Sequence, residues 1–324
     1  MTRPPLSRIV VLAGGVGGSR FVRGVAPLAA PGQTTVIINT GDDDQFHGLQ
    51  VSPDADTILY VLAGLADTRR GWGRRGESFR TLDALRALGH ETWFQLGDLD
   101  LATHIDRTAR LLAGEPLSAV MATHARALGI TTRLLPMTNA PVRTRIRTAR
   151  GELAFQEWLV RERTRPKVLA VRYAGARRAD PAPGVLDAIA AADAILLAPS
   201  NPFVSIGPIL AVRGVRRALR AAPAPIVAIS PLIGGRSVRG PADRMMRALG
   251  VPCGPAGIAA LFPDLLDGIV VDDCDLASAR RSLPASLAIT ATNLLMTSPA
   301  RSRGVAGVAL QLARSLARPD GKRP

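Results

Sequence analysis

The sequence is poor in cysteine, lysine and aromatic residues, and it lacks long hydrophobic runs. Cys253 and Cys274 are the only cysteines and show no C-x-x-C spacing, so the sequence offers neither a disulfide framework nor a zinc-binding pattern. No stretch approaches the ~20 uninterrupted apolar residues of a membrane-spanning helix. The N-terminus has no apolar segment of signal-peptide length. We therefore expect a cytoplasmic protein that does not insert into membranes.

The positive charge of the chain does not by itself indicate nucleic-acid binding. The formal net charge is +15 at pH 7, and Lys167 and Lys322 are the only lysines, so the charge comes from arginine. The arginines are scattered and aromatic residues make up only 4% of the chain, whereas a nucleic-acid-binding face usually concentrates both. DNA or RNA binding therefore ranks behind an anionic small-molecule substrate, which the same field would attract.

The order of apolar runs predicts an α/β fold. Short runs of β-branched and aliphatic residues alternate with helical patterns along the chain. Uniformly apolar strands are typical of a parallel sheet that is covered on both faces. Since 47% of the residues are hydrophobic, the chain can bury a large core. We predict a single domain over residues 1–324, with a Rossmann-like, mostly parallel sheet flanked by helices.

One segment departs from this alternation. Around Val142–Arg147, apolar or threonine side chains alternate with arginines, and a turn follows at Arg150-Gly151. This period of two predicts a β-hairpin, and we assign residues of about 130–165 to a small α+β insertion lobe. The α/β alternation is expected to resume with a strand at Val168–Val171.

A glycine-rich loop follows the first predicted strand, Ile9–Leu12. Gly14, Gly15, Gly17 and Gly18 remove the side chains from this turn, which permits left-handed backbone and close approach of a ligand. A helical pattern follows, so the loop leads into a helix N-terminus, where free amides favour a phosphate. No Gly-Lys-Ser/Thr is present, and a tight turn without a ligand remains the alternative.

Carboxylates follow the second predicted strand, Thr34–Asn39. Asp42, Asp43 and Asp44 are consecutive, and like charges so close together are relieved by water or by a cation. Mg²⁺ is the expected cation because it prefers oxygen ligands and is commonly shared with substrate phosphates. A solvated acidic turn is the alternative.

The next acidic segment, Ser52-Pro-Asp-Ala-Asp-Thr57, opens a predicted helix. Ser52 is suited to cap it, and Asp54 and Asp56 complement the helix dipole. Capping accounts for one of these carboxylates but less well for a pair that follows an acidic loop. Because ligands of open α/β sheets bind beyond the carboxyl ends of the strands, we expect both acidic segments near the glycine loop.

Eight short motifs follow one another along nearly the whole chain. They are Gly14-Gly-Val-Gly-Gly18, Asn39-Thr-Gly-Asp-Asp43, Ser52-Pro-Asp-Ala-Asp-Thr57, Leu96-Gly-Asp-Leu-Asp-Leu-Ala-Thr-His104, Phe155-Gln-Glu-Trp158, Pro199-Ser-Asn-Pro202, Ser205-Ile-Gly-Pro208 and Ser230-Pro-Leu-Ile233. Each motif is weak alone, but in this order they resemble the 2-phospho-L-lactate transferase family of deazaflavin coenzyme F-420 biosynthesis. The resemblance implies transfer of a phospho-acid from its guanosine diphosphate ester to the ribityl hydroxyl of the deazaflavin Fo. GMP is released, Mg²⁺ is required, and the acid is lactate, enolpyruvate or glycerate.

The resemblance also implies a set of site residues. Asp42, Asp43 and Asp54 are expected to hold Mg²⁺, with Asp43 and Asp56 as catalytic residues. Asp56 and Gln95 are expected to contact Fo, with Asp56 as a possible base. The nucleotide and its phosphates are expected to contact the following residues: Gly14, Gly15, Gly17, Gly18, Asn39, Ser200 and Asn201. A homodimer is expected on the same ground.

Some features depart from the family pattern and leave alternatives open. Many members carry arginine where this chain has Leu99, and Gln95 is neutral where the position is often basic. A related group of bacterial regulators binds nucleotide-sugars without transfer, but usually has a Gly/Ser-rich segment after the acidic pair, where this chain has Gln45-Phe-His-Gly-Leu49. A second alternative is an NAD(P)-dependent enzyme in which Asp42 would hold a ribose.

Overall fold

A computed structural model describes residues 6–317 of the chain. Its centre is a seven-stranded sheet that consists of β1 (Ile9–Ala13), β2 (Thr34–Ile38), β5 (Arg133–Pro136), β9 (Ala194–Leu197), β10 (Ile226–Ile229), β13 (Gly268–Val271) and β14 (Ala288–Ala291). The strand order is β14-β13-β10-β9-β1-β2-β5, and each neighbouring pair of strands is parallel. The predicted parallel α/β sheet is therefore confirmed.

Helices cover both faces of the sheet. They are α1 (Gly15–Val25), α2 (Pro53–Leu62), α3 (Arg80–Ala87), α4 (Asp98–Leu112), α5 (Leu117–Ala127), α6 (Val185–Ala190), α7 (Gly207–Ala211), α8 (Val215–Ala221), α9 (Ala242–Ala248), α10 (Pro255–Leu261), α11 (Leu276–Ser282) and α12 (Pro299–Leu316). Because alternate residues of a strand point to opposite faces, Ile9 and Val11 pack into one core layer and Val10 and Leu12 into the other. Within residues 6–317, no helix combines the length and hydrophobicity that crossing a bilayer requires.

Three short antiparallel sheets lie beside the central one. The first pairs β3 (Asp44–Phe46) with β4 (Leu49–Val51), and the second pairs β11 (Leu232–Ile233) with β12 (Arg236–Ser237). The third has the order β7-β6-β8 and consists of β6 (Arg143–Thr148), β7 (Gly151–Ala154) and β8 (Ala170–Ala174).

The third small sheet corrects the boundaries predicted for the insertion lobe. The hairpin lies where the alternation indicated it, and Thr144, Ile146 and Thr148 are its buried side chains. However, β5 lies inside the predicted 130–165 segment and belongs to the central sheet. The strand expected at Val168–Val171 instead pairs with β6 as β8. Sequence patterns mark strands but not their partners, which explains both errors.

Candidate active site

The predicted site residues come together because parallel strands end at one edge of the sheet. A cavity of about 870 Å³ lies there, beyond the carboxyl ends of β1, β2, β9 and β10. It is lined by the following predicted residues: Gly14, Gly15, Gly17, Asp42, Asp54, Asp56, Gln95, Ser200 and Asn201. Asn39, Asp43 and Gly18 do not line the cavity and lie behind it.

The glycine loop packs tightly against two other strand-end segments. The Gly14 amide donates to Ser200 Oγ at 3.2 Å, and the Gly15 amide donates to Asp54 Oδ1 at 2.7 Å. Gly15 has left-handed backbone with φ of 65°, and a Cβ on Gly14 would collide with the Asp54 carboxylate. Gly18 packs against the Ser200 hydroxyl, which leaves no room for a Cβ at this position. The amides of Val16 and Gly17, in the first turn of α1, have no acceptor within the helix.

Asn39 holds the acidic residues in place. Its Nδ2 donates to Asp42 Oδ1 at 3.0 Å and to Asp54 Oδ2 at 2.8 Å, and its Oδ1 accepts from the Gly41 amide at 2.8 Å. The side chain is fully buried. The prediction that Asn39 contacts a nucleotide therefore does not match its place: its polar atoms are already engaged within the protein.

Ser52 occupies the N-cap position of α2, but its side chain does not cap the helix. Its Oγ donates instead to Asp43 Oδ2 at 2.7 Å. This contact corrects the capping role predicted for Ser52. It also ties the loop after β2 to the start of α2, so the two acidic segments of the sequence become one site.

Asp42, Asp43 and Asp54 form a buried acidic cluster with too little positive charge around it. Burial, reinforced by Asp54 and Asp43, raises the pKa of Asp42 well above its ordinary value. Burial also raises the pKa of Asp43 to about 8 and that of Asp54 to about 6. Asp43 Oδ1 is buried without a hydrogen-bond partner. Ionised carboxylates in this setting are stabilised by an added cation.

The acidic cluster does not form a closed metal site by itself. Among residues 6–317, no group of three or more histidine, cysteine, aspartate or glutamate side chains is placed to hold a metal ion. Most of the cluster's oxygens already accept hydrogen bonds, from Asn39, Gln156, Ser52 and the glycine loop. This fits Mg²⁺, which commonly uses one or two carboxylates and completes its coordination with phosphate oxygens and water.

Arg107, on α4, is the most consequential residue that the sequence analysis missed. It is only 1% exposed, and its two terminal nitrogens bind the two oxygens of Asp56, with Nη1 to Oδ2 at 3.1 Å. Asp56 therefore faces the cavity as one half of a buried ion pair. Arg107 lies seven residues after Asp100, which places both on the α4 face that also carries His104. That spacing was the available signal.

The ion pair extends into a paired network of Tyr60, Asp56, Asp100, His104 and Arg107. Arg107 Nη1 lies 3.2 Å from His104 Nδ1, and since a guanidinium only donates, this contact assigns the His104 proton to Nε2. His104 Nε2 lies 3.3 Å from Asp100 Oδ1, without hydrogen-bond alignment. Tyr60 donates to the same Asp100 oxygen at 2.5 Å. Burial raises the pKa of Tyr60, so its hydroxyl stays a neutral donor.

Aromatic rings form another part of the cavity wall. Trp72, Trp93 and Phe94 line it, and Gln95 is an exposed residue next to Phe94. Phe94 stacks on Phe46 with the ring centroids 3.8 Å apart. Trp93 stands edge-on to Phe94, with an angle of 85° between the rings, and aromatic faces and edges beside polar groups suit a planar aromatic ligand.

Backbone amides at a helix start, buried carboxylates and an aromatic wall share one cavity, which is an arrangement typical of α/β enzymes and suited to phosphorylated ligands. A family model described as the 2-phospho-L-lactate transferase CofD matches residues 9–288. The chain belongs to this family, whose members are transferases of coenzyme F-420 biosynthesis.

Similar proteins cover nearly the full chain. One is the phosphoenolpyruvate transferase of Streptomyces griseus, 44% identical over 312 residues that cover 94% of this chain and 98% of that protein. Another is the 2-phospho-L-lactate transferase of Methanothermobacter thermautotrophicus, 41% identical over 291 residues, which cover 89% and 93% of the two chains.

A solved structure supports the fold. The crystal structure of a member of the UPF0052 family from Bacillus halodurans superposes with a TM-score of 0.59 and covers 95% of this chain and 99% of that one. Its sequence identity is 17%, so it supports the architecture of the chain but carries no argument about activity.

Proposed function

We propose that the protein transfers a phospho-acid from its guanosine diphosphate ester to the ribityl hydroxyl of Fo, releasing GMP. One observation carries this proposal: the amide-rich glycine loop, two carboxylates of the acidic cluster (Asp42 and Asp54) and the aromatic wall share one cavity of about 870 Å³. A diphosphate donor and a planar acceptor need these two environments side by side. Holding both reactants in one orientation removes much of the entropic cost of a two-substrate reaction.

The donor's diphosphate would lie at the start of α1. The Val16 and Gly17 amides and the positive end of the helix dipole are suited to phosphate oxygens. Ser200 and Asn201, from the segment after β9, line the same part of the cavity and are assigned to the nucleotide. Asn201 Oδ1 accepts from the Phe203 amide at 2.9 Å, so its side chain is fixed in place.

Mg²⁺ is assigned to the acidic cluster. The unpartnered Asp43 Oδ1 and the raised pKa values of all three carboxyls support a cation there. When bound, Mg²⁺ would offset negative charge on the transferred phosphoryl group. The protein's part is to hold the carboxylates rigidly, which it does through Asn39, Ser52 and Gln156.

Asp56 is assigned to the acceptor hydroxyl. Both of its oxygens accept hydrogen bonds from Arg107, so the carboxylate is fixed at the cavity surface. A fixed acceptor would orient the ribityl hydroxyl toward the donor phosphorus. Gln95, beside the aromatic wall, is assigned to the deazaflavin ring.

Phosphoenolpyruvate is the transferred acid that we favour. Seven of the similar proteins, at 39–45% identity, are named phosphoenolpyruvate transferase, and one at 41% is named 2-phospho-L-lactate transferase. The phospholactate and phosphoglycerate esters are the competing donors.

Incubation with Fo, Mg²⁺ and each of the three guanosine diphosphate esters tests the proposal. We expect GMP release and a product mass equal to Fo plus the phospho-acid, fastest with the phosphoenolpyruvate ester. Binding of a UDP-sugar without any binding of Fo would reverse the assignment and favour a nucleotide-sugar-binding regulator.

We also propose a homodimer, which a monomer mass in light scattering would refute.

A further inference from the structure

Two neighbouring residues beyond the π-helical turn Glu157–Arg161 have a disfavoured backbone conformation. Arg163 has φ of 50° and Thr164 has φ of 57°. Residues with a Cβ rarely adopt left-handed backbone, and for a β-branched residue such as threonine it is an outlier. Strain of this kind persists only where the surrounding contacts enforce it, and it clusters at ligand sites.

The contacts that enforce this turn come from both sides. The Thr164 amide donates to the Trp158 carbonyl at 2.8 Å, and the fully buried Trp158 donates from Nε1 to the Pro166 carbonyl at 2.8 Å. From the other side, Arg244 on α9 donates to the Thr164 carbonyl at 2.9 Å and also contacts its hydroxyl. The turn is therefore held in one conformation between the small sheet and α9.

The held turn brings Arg163 to the main cavity. Three arginines line this cavity, and two of them already donate to backbone carbonyls: Arg20 to Met296 at 3.5 Å and Arg239 to Arg70 at 3.3 Å. Within the described residues 6–317, the Arg163 guanidinium makes no hydrogen bond or ion pair. Its donors remain available to a ligand in the cavity.

The charge distribution of the cavity explains why the Arg163 guanidinium is needed there. Asp42, Asp54 and Asp56 line the cavity, so a polyanionic ligand needs positive charge from elsewhere in its wall. The segment that carries Arg163 also carries Gln156, whose Nε2 donates to Asp42 Oδ2 at 2.8 Å. One segment thus extends from the acidic cluster to the free guanidinium.

We propose that Arg163 binds an anionic oxygen of the donor, phosphate or carboxylate, and so contributes to donor specificity. The planar fork of arginine suits both groups, because each presents two oxygens to parallel N–H donors. This inference rests on the proposed function for the identity of the donor, but not for the anionic character of the ligand.

Binding of inorganic pyrophosphate and of GDP, measured by calorimetry, tests Arg163 directly. We expect Arg163→Ala to lower about tenfold the affinity for the phosphate-containing ligand that Arg163 contacts, because one charge-assisted hydrogen bond is lost. Arg165→Ala is the matched control, because both arginines are exposed but Arg165, two residues further on, lies outside the cavity wall. It should bind both probes as the wild type does.

Steady-state kinetics separate the two sources of the anion. If Arg163 contacts a donor phosphate, Arg163→Ala weakens the binding of GDP and of pyrophosphate. If it contacts the acid's carboxylate, GDP affinity is retained, while KM for the complete donor rises about tenfold and kcat changes little. Arg163→Lys should recover part of the loss, because it restores the charge but not the fork.

Thermal unfolding supplies a readout that is independent of ligand. Glycine adopts left-handed backbone without strain, so Arg163→Gly should melt at a higher temperature than Arg163→Ala although both lack the guanidinium. Higher stability of Arg163→Gly than of Arg163→Ala would show that the left-handed backbone at this position is strained, and equal melting temperatures would contradict that premise.

The outcomes distinguish this inference from the proposed function. Unchanged pyrophosphate and GDP binding together with unchanged donor KM in Arg163→Ala would overturn the role of Arg163, whereas wild-type turnover would leave the proposed function standing. Arg163-dependent pyrophosphate binding without GDP binding would support the anion site and count against a guanosine donor. A wild type that binds neither probe and does not turn over would overturn both.

Discussion

Two neighbouring groups of buried charges meet the same cavity but are built on opposite principles. The paired network contains an arginine against its carboxylates, and Asp56 is bound through both oxygens. The acidic cluster contains three carboxylates whose pKa values are raised by burial, and its hydrogen bonds come from neutral donors. Asp56 therefore receives its counter-charge within the protein, whereas the three carboxylates of the cluster are bonded to no cation and are neutralised by protons or by an added cation.

This difference separates carboxylates that are bonded to no cation from one that receives its counter-charge from the protein, among residues of the same type. Asp54 and Asp56 are two positions apart on α2, yet one joins the cluster and the other joins the network. What decides is the neighbour: Asp54 meets Asn39 and the glycine loop, while Asp56 meets Arg107. Four predictions test the contrast, in order of decreasing effect.

Breaking the network should cost the most stability. Arg107→Leu leaves Asp56 buried without its cation, and loss of one partner of a buried ion pair costs about 3–5 kcal/mol. Chemical denaturation measures the free energy of unfolding. Arg110→Ala on the same helix is the control, because its pairs with Asp106 and Glu115 are partly exposed and should contribute little to stability. Equal losses in the two variants would remove the contrast.

Neutralising the cluster should affect activity and spare stability. Asp43→Asn preserves the side-chain shape and removes a carboxylate whose ionised form is disfavoured by burial. We expect no loss of unfolding free energy but about a hundredfold fall in kcat, if charge stabilisation at the phosphoryl group depends on it. Asp44→Asn is the adjacent control, because Asp44 is only half-buried and its Oδ1 accepts from the Gln45 amide rather than from a residue of the cluster. Full activity of Asp43→Asn with Mg²⁺ would refute the assignment.

Removing the hydroxyl of Tyr60, an uncharged member of the network, should lower the free energy of unfolding less than breaking the ion pair does. Tyr60→Phe removes the hydroxyl that donates to Asp100 at 2.5 Å, and we expect a loss of about 1–2 kcal/mol in unfolding free energy. Denaturant titration of this variant beside Arg107→Leu ranks the two contacts. A larger loss for Tyr60→Phe would mean that the hydroxyl, and not the guanidinium, organises the network.

Addition of Mg²⁺ should produce the smallest of the four effects. Mg²⁺ at ten times its Kd stabilises the folded state by about 1.4 kcal/mol. For a chain of this size, this corresponds to a rise of a few degrees in Tm. Differential scanning calorimetry with and without EDTA measures the shift, and Asp43→Asn should lack it. A shift of the same size in that variant would place the ion elsewhere.

Much of the fold followed from local patterns. The all-apolar runs predicted a parallel sheet because only strands covered on both faces tolerate them, and residues 9–13 and 34–38 are such strands. The glycine loop and the acidic segments were expected at one edge for the same topological reason. The hairpin at 143–154 followed from its period of two. The partners of β5 and β8 did not follow, because strand pairing depends on contacts distant in sequence.

The sequence predicted which residues make up the candidate site, but not which of their side chains form hydrogen bonds with one another. Residue types placed Asp42 and Asp54 near a phosphate, but nothing local indicated that Asn39 bridges them or that the Ser52 hydroxyl turns to Asp43. In the sequence, Arg107 is one of many arginines on predicted helices, and only the packing of α4 against β4 and its hydrogen bonds to α2 bury it.

By itself the sequence determined the strands, the helix starts and the set of polar residues at the strand ends, because these depend on nearest neighbours and on period. Only the tertiary structure decided which carboxylate receives a cation from the protein and which does not. The physical reason is that charge balance in a buried site depends on groups brought together across the fold, from positions as far apart as 42 and 156 or 56 and 107.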